Sequence, residues 1–301
     1  MRLEVVCVGA VTVDTIAVVE HLPAEDTRVV AEPFVVAGGG PAATAAVALA
    51  RLGVPVGFCG VVGDDEDGRL SRRLLEAEGV DTRWLLTRPG VPTARSVILV
   101  SRGTGSRTIV TTSAPPPDPA SVPVGAAGWL HVDQTGYGSV RAALRGAEGP
   151  AALSVDGGNP LPRLELRGVD LYVPTAGSLR AAFPAPDLAT SMCAAAAAGA
   201  RRVVATGGGD GCHVLAGDGA VVHLAPHPVR AVSTIGAGDV FHGALLAGLV
   251  AGRPLLAAAR EANVAAALSC LALDGRSGIP DRARLAAHLP AHPDPGDDEY
   301  R

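Results

Sequence analysis

Ser233-Thr234-Ile235-Gly236-Ala237-Gly238-Asp239-Val240-Phe241-His242-Gly243-Ala244 is the stretch on which the reading of this chain turns. A Gly-Ala-Gly loop enters a run of small and apolar residues that reads as a helix to about Val250. A helix that starts there points unpaired N–H groups at whatever precedes it, and its dipole favours negative charge in that place. Small side chains also let a phosphate come close to the backbone. Asp239 falls in the first turn. It reads either as a residue that complements the dipole or as a general base beside an anion hole. Transfer of a phosphoryl group to a hydroxyl needs the second arrangement.

Three further glycine-bearing stretches lie upstream. Ala37-Gly38-Gly39-Gly40-Pro41-Ala42-Ala43-Thr44 suits a loop-to-helix entry with Pro41 near the first helical position, and equally a plain tight turn. Thr206-Gly207-Gly208-Gly209-Asp210-Gly211 follows an apolar strand and reads as a turn over nucleotide phosphates or as a hairpin turn. Gly9 to Asp14 follows the first strand, where Asp14 is a candidate partner for substrate hydroxyls or a turn residue.

Between these stretches short apolar runs alternate with helical ones. Leu3–Val8, Val56–Cys59, Trp129–Val132, Ala152–Val155, Leu171–Val173 and Arg202–Thr206 read as core strands. Pro41–Leu52, stopped by Gly53, Asp67–Ala77, Val140–Arg145 and Leu188–Ala198 read as helices. Continuous apolar strands separated by helices imply an α/β fold, a mostly parallel sheet covered on both faces. Two segments break the rhythm. Ile16–Val36 and Thr93–Thr112 look like extended hairpin material, the second turning at Gly103-Thr104-Gly105, and are expected to form a small separate sheet. Ser113–Pro123 reads as a proline-rich loop, and Pro290 to Arg301 as a frayed polar tail.

Composition narrows the chemistry. The chain has 301 residues, 48% hydrophobic and 3% aromatic, with a formal charge of −5. That balance argues against phosphate-neutralising nucleic-acid binding, and so few aromatics make no stacking platform. Every basic side chain is arginine, which excludes a Walker A loop, a protein-kinase strand lysine and lysine Schiff-base chemistry. Cys7, Cys59, Cys193, Cys212 and Cys270 form no C-x-x-C pair and are expected as buried small hydrophobes, with no metal site. No apolar run is long enough to cross a membrane and Met1 to Ala10 enters a strand directly, so the expectation is a cytoplasmic protein.

The order and spacing of the glycine stretches resemble the ribokinase-like sugar kinases, the PfkB family. The first signature is Gly38 to Ala46, running on to Gly53, and the second is Thr234 to Ala244. Val62-Gly63-Asp64-Asp65 between them matches a further family stretch. The resemblance reaches to about Gly278-Ile279-Pro280 and implies one ribokinase-like α/β domain over 1–301, with the two irregular segments as a β-sheet lid. It implies an ATP-dependent kinase using Mg²⁺ that phosphorylates a sugar hydroxyl, most directly a primary one. A nucleoside kinase and a catalytically silent ligand-binding relative are the alternatives.

Carried across by position, the resemblance makes Asp239 the base and Gly236, Ala237 and Gly238 the anion hole. It sets Asp14, Gly39, Gly40 and Thr44 against the sugar. Thr206, Gly208, Gly211, Asn263 and Ser269 line the nucleotide. Arg28 and Arg95 on the lid segments read as clamps for an anionic substrate group or as solvated charge, and His131, Asp133 and Gln134 as possible sugar contacts. Three positions depart from the family. Thr44 stands where asparagine is common. Ser233 replaces an acid that supports a monovalent-cation site. Pro174-Thr175-Ala176-Gly177-Ser178 lacks the N-x-x-E motif that organises water around magnesium. Exposed lid edges further imply a homodimer through the lid.

Overall fold

Val5, Val6, Cys7 and Val8 are fully buried, so the first strand lies inside a sheet covered on both faces. The structure is a computed structural model that describes residues 2–103, 106–145, 151–217 and 219–289. Among the described residues the chain runs β1 (Leu3–Val8), β2 (Thr12–Val19), β3 (Phe34–Gly39), α1 (Pro41–Arg51), β4 (Val56–Gly63), α2 (Glu66–Ala77), β5 (Asp81–Arg88), β6 (Arg95–Ser101) and β7 (Arg107–Thr111). It continues through β8 (Ala127–Val132), α3 (Tyr137–Ala143), β9 (Ala152–Gly157), β10 (Leu171–Pro174), α4 (Ala176–Ala182), α5 (Leu188–Ala197), β11 (Val204–Thr206), β12 (Cys212–Leu215), β13 (Val221–Leu224), α6 (Ala237–Val250), α7 (Leu255–Ser269) and α8 (Arg282–Ala286).

The central sheet has the order β10-β9-β8-β1-β4-β5, and each of its pairs is parallel. Isolated parallel bridges, Tyr172 to Val203 and Thr175 to Thr206, join its β10 edge to an antiparallel sheet β11-β12-β13. One core layer packs Val5, Phe58 and Leu85 against Leu49 of α1, Leu245 of α6 and Leu268 of α7. The other packs Val6, Leu130 and Leu153 against Val140 of α3, Leu179 of α4 and Met192 of α5. Alternation along β1 sends Val5 and Cys7 to the first layer and Val6 and Val8 to the second. Each fully buried side chain of this size contributes about 1.5–3 kcal/mol.

The two irregular segments form one separate sheet, β3-β2-β6-β7. Its strands are longer than the sequence implied. β2 begins at Thr12 and β3 runs to Gly39, so Asp14 lies in a strand, paired with Ala37 and Ser96, and not in a loop. Thr12, Asp14 and Thr15 hide the strand in the sequence because their polarity reads as a turn, although the first two are buried. Ile16, Val18, Ile98 and Val100 face inward and pack on Ile235, just before the glycine-led helix. Val36, Val97 and Val110 occupy the opposite, exposed face.

No helix among the described residues is long and apolar enough to cross a membrane. Cys7, Cys59, Cys212 and Cys270 are buried as expected, whereas Cys193 is exposed on α5. The tail from Pro290 and the Thr104-Gly105 turn lie outside the described residues.

Candidate active site

The carboxyl ends of β1, β8, β9 and β10 open into the crevice where parallel α/β sheets bind ligands. The lid covers it from one side and the start of α6 from another. Gly236 caps α6 with φ +70°, a conformation that side-chain-bearing residues rarely adopt. A Cβ there would lie 3.0 Å from Gly275, so the loop after α7 closes against the helix start. No side chain caps the first turn of α6, which carries Asp239, and the N–H of Ala237 donates to the Thr234 carbonyl at 3.4 Å.

Asp239 keeps partial access to the crevice, yet protein surrounds it. Desolvation raises its pKa to about 7, Asp156 and Asp133 push it the same way, and His242 and Arg276 oppose them. A carboxylate pushed towards neutrality is a stronger base than an ordinary aspartate.

Across the crevice Asp14 projects from the lid. Its Oδ1 accepts the hydroxyl of Thr12 at 2.7 Å. A Cβ on Gly39 would stand 2.0 Å from its Oδ2, so only glycine leaves room for that carboxylate. The structure thus sets Asp14 against Gly39, with Arg276 within electrostatic reach of both Asp14 and Asp239. Thr44 is buried in α1 and its Oγ1 accepts Arg276 Nε at 3.3 Å. Arg276 also donates to the carbonyl of Gly39 at 2.7 Å. Burial lowers the pKa of this guanidinium to about 10, with Asp14 the largest opposing charge.

Two lid arginines stand elsewhere. Arg28 lies exposed between β2 and β3. Arg95 shares the row of Val13, on the face opposite Asp14, and its Nε is 2.9 Å from Asp67. The lid arginine that does reach the crevice is Arg107, whose Nη1 donates to Thr234 Oγ1. Nothing in the sequence separates Arg107 from Arg95, because only the register of β6 against β2 and β7 decides which face each takes.

The strand-end residues also resolve. Asp133 Oδ2 accepts the N–H groups of Ala10 and Ala42, and Oδ1 those of Thr135 and Gly136, so its carboxylate fastens loops and does not face a sugar. His131 is buried beside Ser154. Gln134 bonds Asn159 at 3.3 Å.

Thr206, Gly208 and Gly211 edge the turn between β11 and β12. Asn263 on α7 donates to the carbonyls of Leu224 and Ala225 and so fixes the end of β13 next to that turn. Ser269 is buried and its hydroxyl returns to Ala266 of its own helix. Thr175 and Ser178 occupy the place of the missing N-x-x-E groups. Thr175 caps α4 through Ser178 N–H, and Ser178 Oγ donates to Gly158. Those hydroxyls organise a helix start and offer no carboxylate. Ser233 Oγ likewise accepts Ile235 N–H at 3.3 Å.

A parallel sheet, a β-sheet lid built on the strand after β1, and an acid in the first turn of a glycine-led helix are the build of an α/β small-molecule kinase. The sequence matches the model of the pfkB family carbohydrate kinases over residues 2–118 and 160–282, and the chain belongs to that family. It is 26% identical over 287 residues to a ribokinase of Bacillus subtilis (strain 168), covering 92% of this chain and 96% of that one. It is 31% identical over 298 residues to a fructokinase of Klebsiella pneumoniae, covering 85% and 90%. The Arabidopsis thaliana ribokinase complexed with ribose and ATP superposes with a TM-score of 0.81 at 22% identity, over 96% of this chain and 99% of that one.

Proposed function

We propose that this protein transfers the terminal phosphoryl group of ATP to a hydroxyl, most directly a primary one, of a monosaccharide or sugar derivative. The observation that carries this reading is Asp239, held in the first turn of the glycine-led helix α6, with Arg276 within electrostatic reach of both Asp239 and Asp14 of the lid. Asp239 takes the proton of the acceptor hydroxyl. The freed oxygen forms a bond to phosphorus as the bond to ADP breaks, and the amides of Gly236, Ala237 and Gly238 hold the negative charge of the group in transit. Asp14 and the backbone of Gly39 and Gly40 orient the acceptor. Thr206, Gly208, Gly211 and Asn263 line the nucleotide side.

Mg²⁺, when bound, neutralises phosphate charge during transfer. With Thr175 and Ser178 spent on capping α4, the chain fits an ion carried by the nucleotide's own oxygens and water. The exposed apolar face of Val36, Val97 and Val110 supports a homodimer joined through the lid. The reading places the protein in the cytoplasm, with its ATP.

The deciding experiment is ADP release with a panel of sugars set against a panel of nucleosides. Turnover with a sugar supports the reading. Turnover with nucleosides alone replaces it with the nucleoside-kinase alternative, and release with neither points to a silent ligand-binding relative.

A further inference from the structure

Three ionisable side chains beneath Asp239 take no part in the steps above. Asp156 leaves the end of β9, His131 leaves β8, and His242 lies one helical turn beyond Asp239 on α6. All three are more than nine-tenths buried. His242 Nε2 is 3.3 Å from Asp156 Oδ1, which also accepts the N–H of Gly158 at 2.7 Å. The imidazoles of His131 and His242 face each other with centroids 5.5 Å apart. His131 Nδ1 is 3.0 Å from Ser154 Oγ. His131 Nε2 and His242 Nδ1 are buried without a partner among the described residues. An apolar pair would fill this layer without leaving two ring nitrogens unmet, so packing alone does not account for the cluster.

The charges sort themselves by burial and distance. Burial and the neighbouring His242 hold His131 neutral, down at about 3. Burial is the largest single influence on His242 and opposes its charge, but Asp156 and Asp239 together outweigh it and favour the imidazolium. A neutral His131 beside a charged His242 leaves the pair with a single positive charge.

We propose that the Asp156–His242 ion pair is a positioning device for the base: His242 cancels the charge of Asp156, so Asp239 meets the acceptor hydroxyl as a carboxylate. The proposal takes from the kinase reading only the naming of Asp239 as base. Without the imidazolium, Asp156 and Asp239 become two carboxylates in one desolvated site, and such pairs hold a shared proton to higher pH. The other charges that face Asp239 are Asp133, from the end of β8, and Arg276, from the loop after α7. Both are unchanged in the variants below.

The test uses His242→Gln, Asp156→Asn and their double variant, with His242→Asn as a second substitution should the first misfold. In His242→Gln the acid limb of the kcat/KM–pH profile moves up by about one unit or more, an activity loss of about tenfold below the limb that closes above it. KM for ATP and acceptor stays within about twofold, since neither side chain touches them. The double variant removes both charges and returns the limb towards its parental position. A packing role predicts the reverse, with the double variant at least as impaired as the single and every profile unshifted. Carbon-13 titration of the Asp239 carboxyl, assigned by its loss in Asp239→Asn, reads the same shift without turnover. An unmoved Asp239 titration in His242→Gln overturns the proposal. If no acceptor is phosphorylated, the kinase reading fails while the carboxyl titration still decides the ion pair.

Discussion

Asp133 Oδ2 accepts the backbone N–H of Ala10 at 2.8 Å and so ties the end of β8 to the turn between β1 and the lid strand β2. The same oxygen accepts Ala42 N–H at 3.2 Å, in the first turn of α1. One carboxylate therefore sets the lid's root and the glycine-led entry to α1 in register.

Asp133→Ala leaves the N–H groups of Ala10, Ala42, Thr135 and Gly136 without their acceptor. An unmet buried donor costs about 1–3 kcal/mol, so a loss of at least about 3 kcal/mol is expected after relaxation. Denaturant unfolding measures it. An unchanged midpoint would show that water replaces the carboxylate.

Gly236→Ala forces a side chain into the left-handed region and against Gly275. The strain falls on the loop that aims the α6 amides. The expected result is a kcat loss of about 10²-fold, the size seen when an oxyanion donor is removed, in a protein that still folds. Stopped assays with circular dichroism on the same sample separate the two effects.

Arg276→Met removes the donor to Gly39 and Thr44 and a buried cation within electrostatic reach of Asp14. A hydrogen bond to a charged group is worth about 1.5–3 kcal/mol, so acceptor KM is expected to rise by at least about tenfold. KM for ATP should move much less. An equal rise in both would mean that the loop after α7 has collapsed.

Much of this arrangement was legible in the residues. The central strands and the Gly236–Asp239 helix start were readable because apolar runs and glycine-led helix entries are local signals. β5 was not, since Asp81-Thr82-Arg83-Trp84 carries charges suited to a sheet edge. β12 and β13 alternate too briefly to stand out, and α7 hides among alanines. Within the site, Asp239, Asp14 and Gly39 were legible by position. Arg276 and the Asp156–His242 pair were not. Each depends on a contact between segments far apart in the chain, and no local pattern announces a guanidinium against a distant carbonyl.

The lid arginines give a direct check on that lesson. Arg95→Ala and Arg28→Ala should leave acceptor KM within about twofold, because Arg28 is exposed and Arg95 lies on the face opposite Asp14, paired with half-buried Asp67. Arg107→Ala, which frees Thr234 beside the proposed anion hole, should lower kcat/KM by about tenfold. An acceptor KM that rises with Arg95→Ala instead would place the substrate on the outer face of the lid.

Asp239→Asn separates chemistry from stability most sharply. It keeps size and much of the helix-start hydrogen bonding while removing the proposed base, and a positioned general base contributes about 10² to 10⁴ in rate. The expected loss in kcat is at least about a hundredfold, with ATP affinity little changed because the α6 amides remain. Stability should move the other way. Desolvation raises the folded-state pKa of Asp239 to about 7, above its unfolded value. Its contribution to stability is therefore full below the unfolded pKa and is lost as pH rises through about 7, where the folded protein must ionise a group that resists it. The neutral amide of the variant carries no such cost. The melting temperature of the variant relative to the parent should be level in acid and rise steadily through neutral pH. An acid that merely complements the α6 dipole predicts a variant that melts lower at neutral pH, by about 0.3–1 kcal/mol, and turns over at the parental rate. Melting curves and turnover measured across the same pH series decide between them, and near-parental turnover in Asp239→Asn would remove Asp239 from the reaction.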